Sequence, residues 1–132
     1  MTTSRTPDVH VLPANLHALT AAIFERAGWT ARDANLAADH LVLSNLSGHD
    51  SHGVGMVPRY IQTAQKGLLK TGHALTTVMD AGALLTIDGG MQLGQVIGHD
   101  ATALAIDRVR AHGVAVLALR NTHHLGRIGH WG

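Results

Sequence analysis

The chain contains no cysteine. This absence excludes disulfide bonds, thiolate nucleophiles and zinc sites built on cysteine, and it fits a reducing compartment. Large aromatic rings are also scarce, because Phe24, Trp29, Tyr60 and Trp131 are the only ones. The ten Lys and Arg side chains nearly balance the nine Asp and Glu side chains, and they form no basic stripe. We therefore expect no nucleic-acid partner.

Long apolar segments are absent as well. The longest one, Val114–Leu119, is far shorter than the roughly 20 residues that a membrane-spanning helix needs. Residues 1–9 contain no apolar segment of the kind found in a secretory signal. We expect no membrane partner, a cytoplasmic location and, at 132 residues, about one hydrophobic core.

The first half of the sequence has the pattern of helices. Residues 13–27 carry apolar side chains at helical spacing, namely Leu16, Leu19, Ile23 and Ala27. Thr30 can cap a second helix that extends to about Ser47 and is apolar around most of its circumference, so we expect it to be buried. After a loop over residues 48–55, Pro58 begins a short third helix that contains Tyr60 and ends at Gly67. Residues 1–70 are thus predicted to form a helical cap.

The second half has the pattern of a strand, a helix and a second strand. The predicted elements are a strand over Ala83–Ile87, a helix over Gln95–Ala111 and a strand over Val114–Leu119. The last strand is uniformly apolar, which is typical of burial on both faces. The spacing favours a right-handed crossover between parallel neighbours. We predict an α/β fold, a helical cap followed by the start of an α/β sheet over residues 71–132, incomplete at its carboxyl end and distinct from the Rossmann fold.

The predicted crossover points to one edge of the sheet as the functional edge. Ligands of open parallel sheets bind beyond the carboxyl ends of the strands. The segments Gly89–Gly90 and Asn121–Leu125 follow the two strands there, beside the start of the helix near Gly94. His123 and His124 lie in the second segment, and imidazole transfers protons readily near neutral pH. Adjacent side chains leave a loop in different directions, so we expect one of the two in a site.

Other polar clusters leave alternatives open. The segment Asp50–Gly53 is either a polar turn between helices or a source of two hydrogen-bond donors, Ser51 and His52, for a carboxylate or carbonyl. The turn over Gly89–Gly94 lacks both glycine-rich nucleotide fingerprints, so a tight strand-to-helix turn is favoured over an anion cradle formed by its amides. A metal-binding module is a further alternative, with imidazoles from His49, His52, His123, His124 and His130.

Three segments together resemble a known enzyme family. They are HDSHGVGMVPRY, LTIDGGMQLGQV and GVAVLALRNTHHLGRIGHW. Their order and spacing, from about Leu12 to Trp131, are similar to the amino-terminal part of the type-2 malate/L-lactate dehydrogenases, and most similar to the hydroxycarboxylate dehydrogenase branch. This family also includes ureidoglycolate and sulfolactate dehydrogenases. The resemblance implies hydride transfer between NAD or NADP and a small 2-hydroxy acid or 2-oxo acid, in a homodimer or larger homo-oligomer.

The resemblance also implies roles for individual residues. His124 matches the acid/base of the family, which takes the hydroxyl proton of the substrate and returns it in the reductive direction. Ser51 and His52 match the substrate-facing pair, and Tyr60 matches a substrate-binding tyrosine. Ile128 falls in the stretch that contacts the cofactor.

Two departures from the family pattern affect these expectations. Many members carry an arginine four residues after the histidine that His52 matches, where it suits a bidentate contact with a carboxylate. Here that position is Met56, and the next arginine is Arg59. Family members are also much longer, so we expect this chain to be an amino-terminal fragment without turnover of its own. The alternatives are the metal-binding module and an inactive, interacting half of a split dehydrogenase.

Overall fold

A computed structural model describes residues 9–131 of the chain. Within these residues the chain forms four α-helices: α1 (Pro13–Arg26), α2 (Ala31–Leu46), α3 (Val57–Gln65) and α4 (Gly94–His112). It also forms three strands: β1 (Thr76–Ala81), β2 (Leu84–Asp88) and β3 (Val116–Arg120). The sheet order is β1-β2-β3, and the sheet is open. The predicted α/β fold, helices first and then a sheet, is confirmed.

The crossover that positions the site is present. Strands β2 and β3 are parallel neighbours, with Leu85 opposite Leu117 and Ile87 opposite Leu119, and α4 connects them. Leu85 and Ile87 are buried. The predicted parallel pairing is therefore correct, and one face of the two strands lies against α4.

The sheet differs from the prediction in two respects. Strand β1, antiparallel to β2, was not predicted, because it is exposed along its whole length and has no alternation of apolar and polar residues. Strand β3 was expected to be buried on both faces, but its side chains are alternately exposed and half-buried. The reason is that α4 covers only the face of Leu117 and Leu119, while Val116 on the other face is 58 % exposed.

The helix predicted over residues 13–27 is present, but the apolar residues that indicated it are not the ones it buries. Leu19 and Ile23 are exposed, and the buried face contains Thr20, Ala21 and Phe24 instead. Apolar side chains lie around much of this helix, so more than one stripe could face the core, and the ring of Phe24 decides between them because it buries the most surface.

The helical core forms around the few aromatic rings of the chain. Phe24 lies edge-to-face against Trp29 with ring centroids 5.4 Å apart, and Tyr60 lies 6.3 Å from Phe24. Helix α2 supplies the opposite wall with Leu41 and small alanine side chains. Its amino end is capped as predicted, since the Thr30 hydroxyl accepts from the amide of Asp33.

A buried glutamine attaches this core to the α/β part. Gln92 lies in the turn between β2 and α4, and its Oε1 accepts from Trp29 Nε1 at 2.7 Å. The same oxygen accepts from the Leu93 amide at 2.9 Å. Helix α2 also packs directly on α4. Among residues 9–131, no helix is long and apolar enough to cross a membrane.

Candidate active site

The loop between α2 and α3 is held by Asn45. Its Nδ2 donates to Asp50 Oδ1 at 2.6 Å, and its Oδ1 accepts from the Val54 amide at 2.8 Å. Gly53 lies directly against this amide group, and any side chain there would overlap it. The loop therefore has a defined path. It presents Ser51 and His52, whose Oγ and Nδ1 lie 2.9 Å apart.

The second histidine segment is fixed by the turn that precedes α4. The amide of Met91 donates to the Asn121 carbonyl at 2.6 Å, and the amide of His123 donates to the Gln92 carbonyl at 3.1 Å. Gly94 allows the backbone of His123 and His124 to approach the start of α4 closely. A Cβ at this position would lie 2.7 Å from the His123 carbonyl oxygen and would overlap the His124 carbonyl. The carboxyl ends of both parallel strands and the start of α4 thus meet, as the sequence predicted.

Four of the predicted site residues come together from three segments. The Tyr60 hydroxyl on α3 and Nδ1 of His124 are 2.9 Å apart. The rings of His52 and His124 face each other, with centroids 5.3 Å apart and a 31° tilt. Ser51 joins through its contact with His52. We refer to Ser51, His52, Tyr60 and His124 as the histidine cluster.

Both adjacent histidines, His123 and His124, contact Tyr60. His123 packs edge-on against the Tyr60 ring at a centroid distance of 5.5 Å, while His124 bonds to its hydroxyl. Tyr60 itself is fully buried, so its hydroxyl faces His124 and the interior instead of open solvent. Gln95, the second residue of α4, donates from Nε2 to this hydroxyl at 3.0 Å.

The surroundings of the two adjacent histidines lower the pKa of each ring. Burial lowers the pKa of His124, and the nearby His52 and Arg59 lower it further. The pKa of His123 is lowered by burial, then by His124 and Arg59. Burial raises the pKa of the Tyr60 hydroxyl. At neutral pH the His124 ring is therefore uncharged and able to accept a proton.

A second, buried histidine lies behind the cluster. His40 on α2 accepts at Nε2 from the Arg127 amide at 2.9 Å, and its ring packs against those of His130 and Trp131. Burial is the main cause that lowers the pKa of His40 to about 4, followed by the charges of His130 and Arg127. This group anchors the segment after His124 to the helical core.

Sequence reasoning missed Gln95, Asn45 and His40. Each is a polar residue inside a predicted helix, where a solvent-facing position is the usual expectation. The only signal was their mismatch with the apolar surroundings, and that mismatch does not specify a partner.

Three other residues singled out by the sequence are not members of the histidine cluster. Ile128 is 67 % exposed and lines an apolar groove between α4 and β3. Met56 is partly buried and packs against the helical core. Arg59, three residues later, is exposed on the first turn of α3, and its charge reaches His123 and His124.

The turn before α4 does not form an anion cradle. The amides of Gly89, Gly90 and Met91 donate to the Arg120 carbonyl, the Asp88 carboxylate and the Asn121 carbonyl. They are thus used within the protein, as a tight strand-to-helix turn requires. In the described part of the chain, no group of three or more His, Asp or Glu side chains is arranged to hold a metal ion.

Comparisons with known proteins agree with this architecture. A family model described as malate/L-lactate dehydrogenase matches residues 11–132. The chain is 47 % identical over 116 residues to hydroxycarboxylate dehydrogenase B of Escherichia coli strain K12, which covers 88 % of this chain and 32 % of that protein. It is 35 % identical over 119 residues to L-sulfolactate dehydrogenase of Methanocaldococcus jannaschii, with 90 % and 35 % covered.

Solved structures show the same fold. Malate dehydrogenase from Pyrococcus horikoshii superposes with a TM-score of 0.90 at 28 % identity, over 93 % of this chain and 35 % of that one. Sulfolactate dehydrogenase from M. jannaschii superposes with a TM-score of 0.87 at 35 % identity, over 90 % and 35 %. The chain spans about a third of the length of these relatives.

Proposed function

Because this chain belongs to the malate/L-lactate dehydrogenase family, we propose that it forms the substrate side of an oxidoreductase acting on a small 2-hydroxy acid. The reaction interconverts the 2-hydroxy acid and its 2-oxo acid with NAD or NADP. The observation that carries this proposal is the contact of His52, Tyr60 and His124 at the carboxyl edge of the sheet.

His124 is the proposed acid/base. Its Nδ1 is bonded to the Tyr60 hydroxyl, which leaves Nε2 to exchange a proton with the substrate. The lowered pKa keeps the ring neutral, so it can take the hydroxyl proton of a 2-hydroxy acid and return it to the oxygen of a 2-oxo acid. The hydrogen bond with Tyr60 helps to fix the orientation of the His124 ring. Because Tyr60 is buried, we propose that it holds the His124 ring in position and also forms part of the wall of the substrate site.

Ser51 and His52 are the proposed partners of the substrate oxygens. They lie on the loop fixed by Asn45, and the ring of His52 faces that of His124. Met56 packs against the helical core and has no charge that could attract the substrate carboxylate. We assign that attraction to Arg59, since it is exposed and its charge acts on both adjacent histidines.

A nicotinamide nucleotide, when bound, supplies the acceptor and donor of hydride. The residues of the histidine cluster suit the proton and the substrate oxygens. The turn amides are already bonded to protein acceptors and do not suit the cofactor phosphates. Ile128 remains our candidate for an apolar cofactor contact because its side chain is exposed. We also propose that the protein is a homo-oligomer, as the family resemblance implies. A cytoplasmic location is part of the same proposal, since the absence of cysteine fits a reducing compartment.

The test is His124→Asn in the complete polypeptide that contains this sequence. Asparagine keeps a polar atom near the position of Nδ1 for Tyr60 but cannot transfer a proton. We expect kcat to fall by about 10²–10⁴, the usual contribution of general acid–base catalysis. Nucleotide binding, followed by fluorescence, should stay near its original Kd. His112→Asn, an exposed histidine at the far end of α4, is the matched control. Near-normal turnover of His124→Asn would remove His124 from this role.

A further inference from the structure

His40 is a buried histidine that the proposed reaction does not use. It lies on α2 and is 1 % exposed. Its Nε2 accepts from the Arg127 amide at 2.9 Å, while its Nδ1 is buried without a hydrogen-bond partner among residues 9–131. A buried ring nitrogen without a partner costs stability, so a histidine at this position calls for a reason beyond core packing.

The bond between His40 and Arg127 joins two distant parts of the chain. Burial lowers the pKa of His40 to about 4, so the ring is neutral at neutral pH and Nε2 holds a lone pair for the amide. The two residues are 87 positions apart in the sequence. The bond therefore attaches the segment that follows His124 to the helical part of the fold.

The backbone of this segment lies directly against the His40 ring. Gly126 has a φ of 77°, and a Cβ there would overlap the ring. The Trp131 indole packs against the same ring with centroids 5.3 Å apart, and its Nε1 donates to the Leu125 carbonyl at 3.2 Å. The indole also covers Gly98 of α4, where a Cβ would lie 2.7 Å from it. The path of the segment is thus set by its contacts with His40 and α4.

His124 lies between two attachments of its own backbone. On one side, the amide of His123 donates to the Gln92 carbonyl at 3.1 Å. On the other side, three residues after His124, the amide of Arg127 donates to His40. If the second attachment were lost, the backbone at His124 would be held on one side only. Its ring could then move away from the other members of the histidine cluster.

We propose that His40 is a positioning residue that fixes the acid/base segment, acting on His124 through the Arg127 amide. Ile128, the candidate cofactor contact, follows Arg127 directly, so the same bond positions it as well. The inference rests on the proposed function, because it takes His124 as the acid/base and Ile128 as the cofactor contact. A purely structural His40 would stabilise the fold without affecting the placement of either residue.

The first experiment compares two substitutions of His40 in the complete polypeptide. Glutamine can place an acceptor near the position of Nε2, whereas the shorter asparagine reaches only the position of Nδ1. Both side chains are uncharged, and both remove the ring. The readouts are the hydrogen-exchange rate of the Arg127 amide by NMR, kcat with a 2-hydroxy acid, and the Kd of NAD and of NADP by fluorescence.

The two variants should differ in all three readouts. His40→Gln should retain the slow exchange of the Arg127 amide and keep kcat close to that of the unmodified protein. His40→Asn should speed up this exchange roughly fivefold, the factor that corresponds to one net hydrogen bond. It should also lower kcat by up to about 100-fold, because a reacting group displaced by about 1 Å can cost that much. The Kd of the nucleotide that binds should rise.

A second pair of variants keeps the test valid even if His40→Asn does not fold. Gly126→Ala pushes the backbone off the His40 ring without changing the ring itself. Gly113→Ala is the matched control, since Gly113 has nearly the same φ of 78° and a Cβ there meets no atom within 4 Å. Both alanines carry the same backbone strain. Only Gly126→Ala should speed up exchange of the Arg127 amide and lower kcat.

Three outcomes contradict the proposal. In the first, His40→Asn loses protection of the Arg127 amide but keeps the kcat and nucleotide Kd of the unmodified protein. In the second, His40→Gln retains that protection but loses as much kcat as His40→Asn. In the third, Gly113→Ala lowers kcat as much as Gly126→Ala. Failure of the proposed function differs from all three, because the unmodified protein would then turn over no 2-hydroxy acid. The exchange rate of the Arg127 amide and the ring resonances of His124 would still report whether His40 holds the segment.

Discussion

The closest backbone approach at the candidate site occurs at Gly94, and its substitution by alanine tests the geometry directly. The added methyl group would lie 2.7 Å from the His123 carbonyl oxygen and would overlap the His124 carbonyl. These atoms are backbone, and the amide of His123 is bonded to Gln92. The overlap therefore cannot be relieved by a change of side-chain rotamer. The His124 carbonyl would have to retreat by about an ångström to reach ordinary van der Waals contact.

The magnitude follows from two opposing terms. Alanine is favoured over glycine by up to about 1 kcal/mol in a helix interior, and less at the first residue of a helix. Overpacking a close contact costs about 1–3 kcal/mol, and the immobile backbone places Gly94 at the upper end. We therefore expect Gly94→Ala to lower the free energy of unfolding by about 2 kcal/mol. A displacement of about 1 Å at a reacting group can also lower kcat about 100-fold.

The assay combines urea unfolding with steady-state kinetics in the complete polypeptide. Gly55→Ala is the matched control, since a Cβ at Gly55 meets no atom within 4 Å and its φ lies outside the left-handed region. Its stability should change by less than about 0.5 kcal/mol, as is usual for an unconstrained surface position. If Gly94→Ala matched Gly55→Ala in both stability and kcat, the reasoning from this contact would be refuted.

Two further predictions concern charge. His40 has a folded-state pKa of about 4, below its ordinary value of 6.5, so its contribution to stability is present above pH 6.5 and is lost as the pH falls toward 4. The free energy of unfolding should fall by roughly 3 kcal/mol over this range. Urea titrations should show a smaller fall in His40→Gln, which keeps an acceptor for the Arg127 amide. An unchanged pH dependence in this variant would contradict the account. Arg59→Gln should raise the pKa of His124, moving the acid limb of kcat/KM to higher pH, and should raise KM for the anionic substrate. Lys66→Gln, at the residue that follows α3, should do neither, and equal effects of both variants would contradict a specific role for Arg59.

Part of this architecture was predictable from local pattern. The cap at Thr30, the parallel pairing of β2 with β3 and the meeting of His124 with the start of α4 all followed from residue types and spacing. These features depend on neighbours along the chain or on a general rule of parallel sheets. Strand β1 was missed because it buries nothing, and hydrophobic periodicity reports only burial.

The sequence by itself determined the class of fold, the family resemblance and the candidate residues Ser51, His52, Tyr60 and His124. Composition, turn residues and hydrophobic periodicity are local properties and are sufficient for the class of fold, whereas the set of four candidate residues is what the family resemblance implies. The tertiary structure decided which face of α1 is buried and what Tyr60 bonds to. It also decided that Gln95 lies behind the proposed acid/base. Tyr60 and Gln95 are 35 positions apart in the sequence, and Tyr60 and His124 are 64 positions apart. Contacts over such separations leave no periodic signal, because they depend on how separate elements pack.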